Sequence, residues 1–170
     1  MMKKFYVGVF GIVALLLSSG AAAQITGSAG YSNFDFDGVS LGAIQGTVGY
    51  RFPVMEGAGG TGYVIPELRL GFGINDDTFQ GVKVELENYI GGAARFQYES
   101  HAGFYGFLQT SLVNYSLKGS FQGFSVSESE TEFGIGLGGG MYFTETMGVE
   151  LSYENVDDAD VLNVSLRFEF

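Results

Sequence analysis

The chain has 170 residues, room for one domain, with 28 glycines, two prolines, 16 phenylalanines, ten tyrosines and neither cysteine nor tryptophan. The missing cysteine excludes a disulfide-held fold, a lipidated cysteine, a thiol nucleophile and cysteine-based metal sites. A formal net charge of −11 opposes nucleic-acid binding and simple electrostatic adhesion to anionic lipid.

Lys3 and Lys4 precede an almost wholly apolar run over 5–17, then Ser18-Ser19-Gly20 and Ala21-Ala22-Ala23. A positive start, a short apolar run and an A-x-A site describe a cleavable signal peptide over 1–23, cut after Ala23, which leaves 24–170 as one mature domain. The run falls short of the ~20 apolar residues of a spanning helix. Without Lys3 and Lys4, six basic residues face 19 acidic ones, and the mature charge is −13.

Beyond this leader, apolar residues are interrupted at every second position, the period of a strand with two unlike faces. A first strand covers about 25–36, from Ile25 through Tyr31 to Phe36, and Asp37-Gly38 turns the chain. A second, about 40–52, places Ile44, Val48, Tyr50 and Phe52 opposite Gln45, Thr47 and Arg51. Pro53 ends it, and a Gly-rich loop is expected over 54–62, the longest connection in the chain. The third, about 63–74, sets Val64, Leu68, Leu70, Phe72 and Ile74 against Glu67, Arg69, Gly71 and Gly73. Pro66 removes a ladder donor there, so either a bulge sits at it or pairing starts just after it. Asn75-Asp76-Asp77 is the next expected turn.

The fourth strand, about 81–98, places Val82, Val84, Leu86, Ile90, Ala94, Phe96 and Tyr98 outward and Lys83, Glu85, Glu87, Tyr89, Arg95 and Gln97 inward. A turn over 99–103 holds His101, the one histidine. The fifth strand, about 104–118, is ambiguous: Tyr105, Phe107, Val113 and Tyr115 share one parity, Leu108 and Leu112 the other, which fits a bulge or a partly apolar lumen. The sixth, about 122–143, turns Phe133, Ile135, Leu137, Met141 and Phe143 outward and Gly134, Gly136, Gly138, Gly140 and Tyr142 inward; its upper half, S-V-S-E-S-E-T-E, is polar and extends past the apolar zone. After Thr144-Glu145-Thr146, the seventh, about 147–155, opposes Val149, Leu151 and Tyr153 to Glu150, Ser152 and Glu154. The acidic turn Asp157-Asp158-Ala159-Asp160 leads to the last strand, V-L-N-V-S-L-R-F-E-F, in which Leu162, Val164, Leu166, Phe168 and Phe170 alternate with Asn163, Ser165, Arg167 and Glu169.

An exported chain with eight such strands and a terminal aromatic residue is expected to be all-β: a single eight-stranded antiparallel up-and-down transmembrane β-barrel. Each strand supplies the ~9–11 residues a tilted crossing needs. Phe170 then lies at the periplasmic edge, with connections near 54–62, 99–103 and 144–146 on that side and those near 37–39, 75–80, 119–122 and 156–160 outside.

With its alternating segments, terminal R-F-E-F and Gly-aromatic stretches such as Y-I-G-G-A-A-R-F, the mature chain resembles the small eight-stranded outer-membrane barrels: the transmembrane domain of outer-membrane protein A, the X and adhesion-invasion barrels and the opacity-type surface proteins. The resemblance implies a Gram-negative outer-membrane location, lipid and lipopolysaccharide as surroundings, and barrel-assembly machinery reading the C-terminal strand through Leu166, Phe168 and Phe170. It implies a monomer without cofactor. The chain departs from outer-membrane protein A in ending at the barrel, and from opacity adhesins in its shorter outer loops.

Eight strands leave a lumen that their own side chains fill. The inward set expected to pair across it is Arg51, Glu67, Arg69, Lys83, Glu85, Glu87, Arg95, Glu132, Glu150, Arg167 and Glu169, because an unpaired charge in a narrow lumen is costly. The leading expectation is therefore a structural or surface-interaction barrel with a polar plug. A narrow porin-like channel for ions or small solutes is the first alternative, and a soluble periplasmic lipocalin-like binder of an apolar ligand, with the apolar face inside, is the second. Some eight-stranded barrels act on lipid A, which takes a His beside an activated Ser. His101 sits in a turn with no H-x-S triplet, so no catalytic residue is assigned. Asp76, Asp77, Asp157, Asp158 and Asp160, with Asp35, Asp37, Glu128 and Glu130, make an acidic outer rim; the first five are a weak cation candidate, without the spacing of a known calcium loop and with no metal assigned.

Overall fold

The structure, a computed structural model, describes residues 24–36, 38–79, 81–121, 124–157 and 159–170. The leader expected over 1–23 lies outside the described residues. Period-two alternation becomes nine strands: β1 (Gln24–Phe36), β2 (Val39–Gly57), β3 (Gly60–Gly73), β4 (Asp76–Phe79), β5 (Val82–Ser100), β6 (Phe104–Phe121), β7 (Phe124–Tyr142), β8 (Met147–Val156) and β9 (Ala159–Glu169). Each long strand pairs antiparallel with its sequence neighbours, and β1 closes on β9 from Thr26↔Glu169 to Phe36↔Ala159. β3 pairs directly with β5. Eight staves therefore form an up-and-down barrel, which within the ring removes the unpaired edges of an open sheet. Both termini lie at one end, here the terminal end; the other is the distal end.

β4 is the ninth strand. The turn expected at Asn75-Asp76-Asp77 is instead a break in a stave: after Gly73 the chain continues along the same edge of β5, from Asp76↔Glu85 to Phe79↔Val82, and reverses only beyond Phe79. Side chains replace ladder bonds at the break. The Asn75 carboxamide oxygen accepts the Gly42 N–H, and Asp77 accepts the N–H of Ser40 at 2.9 Å and of Thr78 at 2.7 Å. The Gly-rich loop expected over 54–62 is also corrected. β2 and β3 pair down to Gly57↔Gly60, so only Ala58-Gly59 turns, and a register shift between Pro53 and Met55 absorbs the extra residue. At Pro66 there is neither bulge nor late start. Its pairing with Ala94 is unbroken, and the other ladder merely lapses between Gly49↔Glu67 and Phe52↔Val64.

The barrel wears its apolar residues outside. Ile44, Leu70, Phe72, Leu108, Ile135 and Leu137, among many others, are more than half exposed, while Arg167 and Gln97 are sealed inside. This inverts the ordinary order of a water-soluble domain, and it overturns the lipocalin-like alternative, which needs a polar exterior. The interior has two layers. Toward the terminal end it is charged. Toward the distal end Phe34, Leu41, Ala43, Leu86, Tyr89 and Val113 belong to a buried apolar cluster. The ambiguous parity of β6 resolves as a partly apolar lumen: Tyr105, Phe107, Val113 and Tyr115 are buried, and Leu108 and Leu112 face out.

Candidate functional site: the filled lumen and its two ends

Strand parity delivers the charges and barrel closure brings them together. Arg167, on β9 and without measurable exposure, reaches across the lumen to Glu67 on β3 at 3.1 Å and approaches Glu150 on β8 at 3.5 Å. Arg95 on β5 grips both oxygens of Glu150, at 2.7 and 2.9 Å, lies 3.4 Å from Glu67 through Nε, and stacks 3.7 Å above the Phe107 ring. Such two-pronged guanidinium–carboxylate contacts are the strong members of their class. Further toward the distal end, Arg69 donates to Glu154 at 2.7 Å and to Gln109 at 2.8 Å, while Gln109 and Ser111 also donate to Glu154. At the terminal end Arg51 joins Glu169 at 2.6 Å and Glu99, and covers the Tyr63 ring at 3.9 Å. The Tyr142 hydroxyl donates to Glu169, and that of Tyr105 to Glu150 at 3.2 Å.

The glycines of β7 make room for these partners. A Cβ on Gly136 would lie 2.7 Å from the Tyr153 carbonyl oxygen and 3.0 Å from the Gln109 amide nitrogen. Among the described residues a cavity of about 30 Å³ lies between Ser28, Arg69, Gln109 and Asn163 on its polar side and Phe34 and Tyr89 on its apolar side, space for about two waters. A vestibule of about 570 Å³ opens below Arg51, Glu99 and Tyr142 at the terminal end, and exposed His101 lines it.

Of the expected lumen set, Arg51, Glu67, Arg69, Arg95, Glu150, Arg167 and Glu169 are buried in one connected cluster, and Glu132 is half-buried. Lys83, Glu85 and Glu87 are not in the lumen. A register shift between Leu86 and Asn88 puts an extra residue into β5 and reverses the facing of everything before it. Leu86 turns in, and Lys83 and Glu85 join Asp76 and Lys118 on the outer surface, with Lys118–Glu85 at 2.8 Å and Lys83–Asp76 at 3.3 Å. Glu99, Glu154, Gln109 and Ser111 were absent from the expected set. Parity pointed to Glu154, which shares the face of Glu150; Glu99 was assigned to a turn that the longer β5 absorbs.

The rim carboxylates are dispersed. Asp76 pairs with Lys83, Asp77 binds backbone N–H groups, and Asp160 accepts from Tyr153 at 2.6 Å and Asn155 at 3.1 Å. Asp158 lies outside the described residues. Among the described residues no three His, Asp or Glu side chains gather as a metal site. Leu166 stands exposed on the outer face of β9, Phe168 is half-buried, and exposed Phe170, just past the strand, donates its N–H to the Ile25 carbonyl at 2.9 Å.

Residues 8–170 match the outer membrane protein beta-barrel domain family. The chain belongs to that family. The outer-membrane barrel reading thus rests on the apolar exterior, the closed ring and the family match together. Similar folds include Ail, the attachment invasion locus protein of Yersinia pestis, solved with the heparin analogue sucrose octasulfate, at 18% identity and TM-score 0.60 over 87% of this chain and 97% of that one. The N-terminal β-barrel domain of Pseudomonas aeruginosa OprF aligns at 15% identity and TM-score 0.60 over 86% and 97%. Neisserial surface protein A aligns at 10% identity and TM-score 0.54 over 88% and 98%. No curated protein matches the chain significantly by sequence. Identities this low establish the shared fold.

Proposed function

We propose that the protein is a closed structural and surface-interaction barrel of the Gram-negative outer membrane, exported through a signal peptide cut after Ala23 and acting as a monomer among outer-membrane lipids and lipopolysaccharide. The observation that carries the closed lumen is its filling: arginine–glutamate pairs span it from β3, β5, β8 and β9, an apolar layer lies distal to them, and about 30 Å³ stays open. A solute path would need both layers to part. With Phe170 at the periplasmic edge, the long β6–β7 hairpin stands outside the cell, and the vestibule with His101 faces the periplasm. Leu166 and Phe168 on β9 and the exposed Phe170 that follows it are the residues that assembly machinery would read.

The test is the refolded mature chain in planar bilayers, with a gel run before and after boiling. A faster-migrating unboiled band together with a silent bilayer is expected. Steady unitary currents from the same heat-modifiable band would overturn the closed-lumen reading in favour of the channel.

A further inference from the structure

β1 starts at Gln24, the residue that a cut after Ala23 makes the first of the mature chain. The barrel grips the strand just behind it. The Ile25 carbonyl accepts the Phe170 N–H at 2.9 Å, and the Thr26 hydroxyl donates to the Phe168 carbonyl at 3.2 Å and lies 3.3 Å from a Glu169 oxygen. Pairing with β9 begins at Thr26↔Glu169, so Gln24 lies past that ladder; among the described residues its strand partner is Arg51 of β2. Gln24 is exposed. Its facing decides where the side chain stands. It has the parity of buried Thr26, and with Arg51, Glu99 and Glu169 it borders the vestibule of about 570 Å³. The carboxamide is therefore at a mouth open to water, while the next residue, Ile25, is exposed on the lipid side.

A glutamine at a free amino end carries a nucleophile and an electrophile on one residue. The α-amine and the side-chain carbonyl carbon close a five-membered ring, and their tethering replaces a bimolecular encounter. An α-amine is a weaker base than a lysine amine, so part of it is neutral near pH 7 and able to attack. We propose that Gln24 is a modification site, at which the new amino end closes on its own side chain to a pyroglutamyl ring. The α-nitrogen attacks Cδ and a C–N bond forms. The bond from Cδ to the side-chain nitrogen breaks, and that nitrogen leaves as ammonia with the proton that the amine gives up. No oxidant or second reactant is required. The lactam nitrogen keeps one hydrogen to donate toward β2. What disappears is the terminal positive charge. That charge would stand two residues from Thr26, the strand partner of Glu169, and Glu169 already holds the Arg51 guanidinium and the Tyr142 hydroxyl. Ring closure thus removes a competitor of Arg51 for the carboxylate that ties β2 to β9.

The modification rests on the cut after Ala23 and goes beyond the closed-barrel reading. The test is the intact mass of the barrel purified from outer membranes and incubated folded in neutral buffer, with its amino-terminal peptide sequenced by fragmentation. Free amines are capped by reductive methylation before digestion, so a ring formed during handling is not counted. A mass lower by one ammonia than that of the chain 24–170 is expected, with the loss placed on residue 24. Gln24→Asn removes the site, because asparagine would have to close a strained four-membered ring; that variant is expected at full mass with a capped amine. A wild-type amino end at Gln24 whose amine stays open through the incubation would overturn the ring and leave the cut standing. Ammonia lost from any other residue would do the same. An amino end at a different residue would overturn ring and cut together. Heat-modifiability and bilayer silence are read on the same preparation, so each of these failures is distinguished from a failure of the closed-barrel reading.

Discussion

Arg95 holds Glu150 with two nitrogens, faces Glu67 with the third and rests on Phe107, so it ties β5 to β8, β3 and β6. Removing one partner of a buried pair leaves a charge without compensation, and Arg95→Ala is expected to lower unfolding free energy in lipid vesicles by about 3–5 kcal/mol. Replacing both partners with leucine should cost less than the sum of the two single leucine variants, because Arg167 still has Glu67 when Glu150 is gone. Strict additivity in that cycle would show that the pair is not energetically coupled. Which charges point inward was legible from parity for Arg51, Glu67, Arg69, Arg95, Glu150, Arg167 and Glu169. Which charge meets which was not, since partners such as Arg69 and Glu154 lie 85 positions apart and meet only through the closure of the ring. Lys83, Glu85 and Glu87 were misread because one inserted residue reverses a period-two pattern, and nothing local in K-V-E-L-E-N marks the insertion.

At the scale of a strand, glycine placement separates the two faces of the wall. Gly136 faces the Tyr153 carbonyl and Gln109, whereas Gly92 looks outward with nothing nearer than 3.9 Å to an added Cβ. Gly136→Ala should therefore destabilise the barrel by about 1–3 kcal/mol, and Gly92→Ala should be neutral or stabilising by up to about 1 kcal/mol. Equal effects in urea titrations would mean that lumen crowding does not decide glycine tolerance. The break between β3 and β4 carries a pH-dependent latch. N–H groups of Ser40 and Thr78 hold the Asp77 carboxyl below its usual range. A depressed pKa means that the ionised latch stabilises the folded form above the ordinary aspartate range near ~4 and is lost as pH falls through the lower folded value. Asp77→Ala should speed amide exchange over 76–79 at neutral pH and make little difference in strong acid; exchange rates that match at neutral pH would remove the latch. These longer strands were only partly legible. Gly-rich 54–62 and N-D-D at 75–77 have turn composition, and the ladder that overrides it is formed with residues far off in sequence.

For the whole molecule, the two interior layers act in series. The arginine–glutamate pairs form a polar layer, Phe34, Leu41, Tyr89 and their neighbours form an apolar layer distal to it, and the small cavity lies where the two meet. The sequence left the apolar layer as one of two alternatives, beside a bulge, because β6 carries apolar residues on both faces over 104–115, where alternation ceases to separate inside from outside. Hydrophobic constrictions block ions by excluding water, whatever the charges beside them. Removing lumen charges, as in Arg95→Ala with Glu150→Ala, should leave a planar bilayer silent even if the barrel softens. Thinning the apolar layer alone, as in Phe34→Ala with Tyr89→Ala, should also leave it silent, because the arginine–glutamate bridges still span the lumen. All four substitutions together should give measurable current. Current from the charge-removed barrel alone would show that the apolar layer is no seal, and silence from all four, with the fold verified by heat-modifiability, would show that neighbouring side chains collapse into the space.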